Sequence, residues 1–228
     1  MPVDVSPQPG LRERQRQETH ALIRRTAIAL TTEKGLAAVS VQGICAAAGV
    51  SSRTFFNHFR SKDEALVPDL PDFCDDARRA FLAADEPDLV TALGTLLGDH
   101  VTRTHARGDE GSDPLVMRSL VEANPELLPR ALAVFGALEQ RVTELVARRT
   151  GRAPGDLRCI VAALAATSAL RAVVMSLPAG AEDVDLPRLV AGSFAELRRL
   201  LAAADPPGRG KPLQPGAPST DPFSENRN

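Results

Sequence analysis

Tryptophan and tyrosine are absent from the 228-residue chain, and eight phenylalanines supply all of its aromatic content. The apolar positions fall instead to Ala, Leu and Val, with Arg abundant, a composition that favours helices and reads as all-α. Cysteine is scarce as well. Cys45, Cys74 and Cys159 are too far apart for any C-x-x-C arrangement, and an odd count with no export signal fits a reducing cytoplasm, which excludes a disulfide framework. The opening "MPVDVSPQPG" lacks the charged-then-apolar order of such a signal. No apolar run reaches the roughly eighteen residues of a membrane span. "CIVAALAATSALRAVVMSL" comes nearest, interrupted by Thr167, Ser168 and Arg171. The expectation is a cytoplasmic protein with no membrane partner. An excess of positive charge is also missing: the net charge is −2, which on average argues against a polyanion as partner. No internal repeat is found.

The average hides an asymmetry. Leu11 to Glu64 holds nine Lys or Arg against five Asp or Glu, whereas Ala65 to Ala204 holds fifteen against twenty. A basic module is thus joined to an acidic one. Periodicity and breaks predict helices over Leu11–Lys34, Val41–Ala48 and Ser52–His58, with a fourth opened by the Ser61/Glu64 capping box. Beyond Pro68 and Pro71 they predict Asp72–Ala84, Asp88–Ala106, Pro114–Ala123, Glu126–Thr150, Gly155–Leu177 and Leu186–Ala204. The expected organisation is a flexible stretch 1–10, a helix-turn-helix domain 11–60, a helical ligand-binding and dimerising domain 61–204, and a disordered tail 205–228 with six Pro and three Gly.

Two short helices joined by a tight turn at Gly49 and Val50 form a helix-turn-helix, whose second helix suits a DNA major groove. Phe55 and Phe59 lie four apart and share a face, so they can anchor that helix onto Val41, Ile44 and Ile28. The opposite face then carries Ser52, Arg53, Phe56 and Asn57. Arg pairs bidentately with guanine and Asn with adenine, the chemistry that base edges require. Around this face Ser40, Gln42, Ser51, Thr54, His58 and Lys62 suit phosphates, several at helix starts where free N–H groups attract anions. Ser40, Ser51 and Ser61 are helix caps first. Arg12, Arg14 and Arg16 fit either a minor-groove arm or a solvated charge run.

"GLAAVSVQGICAAAGVSSRTFFNHFRSKDEAL" resembles the DNA-binding domain of the TetR family of bacterial transcription regulators. The resemblance covers Thr26 to Leu66 and is carried by Ala48-Gly49-Val50-Ser51, by Thr54-Phe55-Phe56 with His58-Phe59, and by Ser61-Lys62 and Glu64. It implies a nine-helix protein, three helices for DNA and six for ligand binding and dimerisation, with the last two helices of each subunit forming a four-helix homodimer interface. It also implies backbone contacts at Ser40, Thr54, Phe56, His58 and Lys62, and base contacts at Gln42, Ser52, Arg53 and Asn57. Two positions depart from the pattern. Position 56 is usually Tyr, whose hydroxyl Phe56 lacks. Gly43 replaces a polar residue, which loosens its helix by about 1 kcal/mol relative to Ala.

The function expected is a homodimeric repressor that binds a near-palindromic double-stranded operator and is released by a small hydrophobic effector. The "SRTFFNHF" wording is similar to a branch of the family that accepts acyl-CoA-like molecules; a multidrug or antibiotic-type inducer is the other candidate. Pocket candidates chosen by position and chemistry are Phe73, Leu96, His100, Met117, Leu120, Phe135, Leu138, Ser168, Arg171 and Met175. Arg171, in apolar surroundings, calls for a carboxylate partner or an anionic ligand. His100 and His105 are five apart, the wrong spacing for a shared metal on a helix, and no catalytic constellation or cofactor motif is present. The chain is read as not an enzyme. The alternative is a helical scaffold or small-molecule-binding protein without DNA binding, which has no need of the Arg53, Asn57 and Lys62 face.

Overall fold

The computed structural model describes residues 10–83, 85–106, 114–177 and 185–203. The flexible stretch expected before residue 10 and the tail from residue 205 lie outside the described residues, as do Ala84 and Ala204 at two expected helix ends. Among those described, the chain is all-α. Ten α-helices run in order: α1 Leu11–Lys34, α2 Val41–Ala48, α3 Ser52–His58, α4 Lys62–Leu66, α5 Asp75–Ala83, α6 Leu89–Ala106, α7 Pro114–Ala123, α8 Leu128–Thr150, α9 Leu157–Ser176 and α10 Leu186–Ala203. Single 3-10 turns stand at Leu36–Ala38 and Pro125–Leu127. That is one helix more than the resemblance implies. Pro68 and Pro71 stop α4 after five residues, and α5 restarts only at Asp75.

Local chemistry sets most boundaries. Ser40, Ser51 and Ser61 each accept a hydrogen bond from the backbone N–H three residues on, at 3.0–3.1 Å. Glu64 completes its box by accepting from the Arg60 N–H at 2.6 Å, one residue ahead of the cap. Asp156 caps α9 by accepting from Arg158 N–H at 2.9 Å, so this helix starts at Leu157 and not at Gly155. Gly49 ends α2 in the left-handed region at φ 67°, where a side chain would be strained.

The core consists of two apolar clusters. One gathers Ile23, Ala27, Leu36, Val39, Ile44, Phe55, Phe59 and Leu66 of the first four helices, and it also takes in Met117, Leu120, Leu127, Ala131 and Val134 from α7 and α8. The first four helices, the head of the molecule, thus share their core with the rest, its body. On α1 the buried residues are Ile23, Arg24, Ala27 and Thr31. Leu22 is exposed, because the buried stripe advances by four residues from Ile23. Arg24 is 2% exposed, donates from Nε to Ala65 O at 3.2 Å and lies over the Phe59 ring at 5.7 Å.

The second cluster lies among α5, α6, α8, α9 and α10. α9 is long and apolar enough by composition to cross a membrane, at mean hydropathy 1.8, but Cys159, Ala163, Ala166, Leu170 and Val173 turn one face of it into this core. α6 packs along α10, and α8 along α9. Arginines then tie irregular segments to regular ones. Arg130 donates to Val67 O at 2.9 Å, Arg141 to Leu70 O and Pro71 O at 3.1 and 2.9 Å, Arg149 to Phe81 O and Glu86 O, and Arg118 to Val174 O and Leu177 O. Backbone carbonyls of the segment joining α4 to α5 are satisfied in this way although no helix uses them.

Close approach of α6 and α10 depends on Gly94. A Cβ there would lie 2.9 Å from Cβ and Cγ of Phe194, a core residue. Gly94→Ala is therefore expected to destabilise by about 1–3 kcal/mol through overpacking, although Ala is the better helix former. Thermal denaturation by circular dichroism checks this; a raised melting temperature contradicts it.

Candidate nucleic-acid interface

α3 has seven residues and two faces. Phe55 is 0% exposed and Phe59, its C-cap, 2%; their rings lie 5.6 Å apart in the same cluster as Ile44, with Ile28 and Val41 packed against it. The rear anchor expected from the four-residue spacing is present. Ser52, Arg53, Phe56 and Asn57 are all exposed, Phe56 by 57%. Gln42 of α2 and the caps Ser40 and Ser51 are exposed as well. The exposed side chains of α2, α3 and their caps thus comprise a guanidinium, two amides, hydroxyls and a phenyl ring.

The remaining candidates are partly engaged. The Thr54 hydroxyl meets Ser51 Oγ at 2.8 Å. Lys62, half-buried, donates from Nζ to Leu36 O at 2.9 Å and to Val39 O at 3.1 Å, so it closes the turn that leads into Ser40 and α2. Sequence reasoning missed that structural role, because nothing in the residues around a lysine reveals two carbonyls more than twenty positions away. Arg12, Arg14 and Arg16 belong to α1 from its first turns, and Arg16 pairs with Glu13 at 3.4 Å.

His58 sits beside this surface, 5.9 Å from the His20 ring, with its Nδ1 buried and without a hydrogen-bond partner among the described residues. Burial, and secondarily the Arg16 charge, hold its pKa below the ordinary 6.5, so the ring is neutral at pH 7.

The residues 23–67 around this surface match the model of bacterial regulatory proteins of the tetR family, and residues 107–202 match that of the MftR C-terminal domain. The chain belongs to the tetR family. It is 33% identical over 153 residues to the HTH-type transcriptional regulator TcmR of Streptomyces glaucescens, a match that covers 63% of this chain. It spans just under two thirds, 65%, of that relative's length. The crystal structure of the TetR family transcriptional regulator PfmR from Thermus thermophilus is 22% identical, with 78% of this chain and 97% of that one covered at a TM-score of 0.43.

In the body of this tetR-family chain the ten pocket candidates do not converge. Phe73, Leu96 and Leu138 are buried in the second cluster, with His100 against Phe73 at 4.9 Å, whereas Met117 and Leu120 belong to the first. Ser168 and Met175 are exposed. Arg171 has no carboxylate within salt-bridge distance among the described residues; its guanidinium lies over the Phe135 ring at 5.5 Å. The side chain of His105 lies outside the described residues. An apolar cavity of about 380 Å³ opens instead between α6, α9 and α10, lined by Leu89, Leu93, Leu157, Val161, Ala165 and Leu201 among others, none of them a candidate. Its walls come from the first turns of α6, the first half of α9 and the middle and end of α10, whereas the candidates on α6 and α9 lie further along those helices.

Because the folded pKa of His58 lies below the unfolded one, the unfolded chain takes up the proton first as pH falls. Stability conferred by the neutral ring is complete above pH 6.5 and declines below it. His58→Gln is expected to flatten that decline, read from melting temperatures of both proteins across the acid range.

Proposed function

We propose that the chain is a sequence-specific DNA-binding transcription regulator that acts as a homodimeric repressor. The observation that carries this reading is the two-faced α3: Phe55 and Phe59 are buried behind it, and Arg53 and Asn57 stand exposed in front, where guanine and adenine edges can be read. Family membership and the description of TcmR as an HTH-type transcriptional regulator support it. Gln42 and Ser52 join the base-reading set. Ser40, Ser51, Thr54 and His58 border it where phosphates run, and Phe56 offers a ring to sugar or a thymine methyl.

Lys62 acts differently from the outer residues. With two of its donors on Leu36 O and Val39 O, it orders the start of α2. Arg53→Ala is expected to relax preference at one base position at a cost of about 1–3 kcal/mol. Lys62→Ala is expected to weaken all sequences while leaving the salt dependence unchanged, whereas loss of a phosphate contact lowers that slope by about one unit. Fluorescence anisotropy over a salt series distinguishes the two roles.

The partner subunit, in this reading, docks on α9 and α10. Leu157, Val161, Leu164 and Met175 are exposed on α9 at spacings of three and four residues, with Ser168 and Arg171 filling the same stripe. Leu189 and Leu200 are exposed on α10. Two heads carried by such a dimer would meet successive major grooves about 34–36 Å apart, or a multiple of that. A small hydrophobic effector, acyl-CoA-like or antibiotic-type, lowers operator affinity by binding better when the heads are held at another separation. The apolar lining of the cavity between α6, α9 and α10 supports an aliphatic or aromatic ligand. Leu164→Arg is expected to yield a monomer in sedimentation and to lose palindrome binding; an unchanged dimer places the interface elsewhere.

A further inference from the structure

A buried hydrogen bond joins head and body across 88 residues of chain. Asn124, at the end of α7, is 6% exposed and uses both ends of its amide: Oδ1 accepts from the Leu36 backbone N–H at 2.9 Å, and Nδ2 donates to Leu120 O at 3.0 Å. Its main chain is engaged too, with N–H on Leu120 O at 2.9 Å and the carbonyl accepting from Leu127 N–H at 3.0 Å. The side chain is thus fixed to the body and presents one acceptor to the head. Leu36 is gripped from its other side by Lys62, whose ammonium also reaches Val39 O beside the Ser40 cap. The hydrogen bonds thus run without a gap from Asn124 through Leu36 and Lys62 to Val39, beside the start of α2, which leads into α3.

A cavity of about 350 Å³ borders this bond, with Thr31, Thr32 and Gly35 on the head side and Ser119, Ala123 and Asn124 on the body side. Among the described residues no charged side chain lines it. The Thr31 hydroxyl is buried and has no hydrogen-bond partner among the described residues. Hydroxyls, an amide and backbone groups without charge suit a small neutral molecule that both donates and accepts.

We propose that Asn124 is a positioning residue for the DNA-reading head, and that the cavity beside it is a regulatory site for a small uncharged amide- or hydroxyl-bearing molecule that competes for the Leu36 N–H. This rests on the DNA-binding reading above. Asn124→Ala leaves the buried Leu36 N–H without its acceptor and is expected to weaken binding to a duplex selected by the wild type about tenfold, at unchanged salt slope. Acetamide, which carries the deleted amide, is expected to restore most of that loss in Asn124→Ala, and acetate at equal ionic strength is not. Should the alanine variant fail to fold, Asn124→Asp keeps the acceptor and loses the donor to Leu120 O; its affinity is expected to recover, relative to wild type, as acid protonates the carboxyl. Without DNA, acetamide is expected to shift the Gly35 and Leu36 amide resonances of the wild type, and Ser119→Leu, which fills the cavity, to abolish the shift. Full affinity in Asn124→Ala, equal effects of acetamide and acetate, or absence of those shifts overturns the proposal. If the wild type selects no duplex, the DNA reading fails, and the resonance shifts still decide the site.

Discussion

Seven residues are too few to hold a helix together in water, because the cost of the first turn is recovered only over a longer run. α3 persists because Phe55 and Phe59 are drawn into the cluster around Ile44 and Ile23, and because Ser51 satisfies one of the free N–H groups at its start. Every exposed group on its front takes its direction from that anchorage. The ring of Phe59 serves a second neighbour, since Arg24 lies over it while bonded to Ala65 O. The same aromatic residue therefore fixes α3 to α1 and, through Arg24, to the end of α4.

Elsewhere long cations hold what helices cannot. The segment from Val67 to Asp72 has no repeating hydrogen-bond pattern of its own, and Arg130 and Arg141 of α8 supply donors to its carbonyls, with Asp69 and Asp72 as surface partners. Such ion pairs, with carboxylates largely exposed, contribute little by themselves. Bonds to otherwise unserved carbonyls matter more, since an unmet buried acceptor costs more than a met one returns. The route from head to body is thus tethered along its length by one helix.

Most of the fold was legible because caps and breakers act locally: Ser40, Ser51 and Ser61 cap where expected, and Gly49 and the prolines end helices within a few residues of the expected places. The front of α3 was legible for a similar reason, since helical spacing alone assigns Phe55 to one side and Arg53 to the other. What depends on contacts between distant segments was not. Asn124 ends a helix, yet it faces Leu36; Arg24 carries no local sign of burial, yet it is buried; the guanidinium of Arg171 lies over a phenyl ring that no local pattern indicates. The pocket candidates scattered for the same reason, because apolar periodicity identifies inward faces without saying which of two cores they enter.

The sharing of one apolar cluster between the first four helices and the near ends of α7 and α8 has a corollary. Transplanting residues up to the end of α3 alone would set Met117, Leu120, Leu127 and Val134 against an unfamiliar surface. The outward-facing side chains of α3 are more readily substituted in place, where the shared interior imposes no requirement.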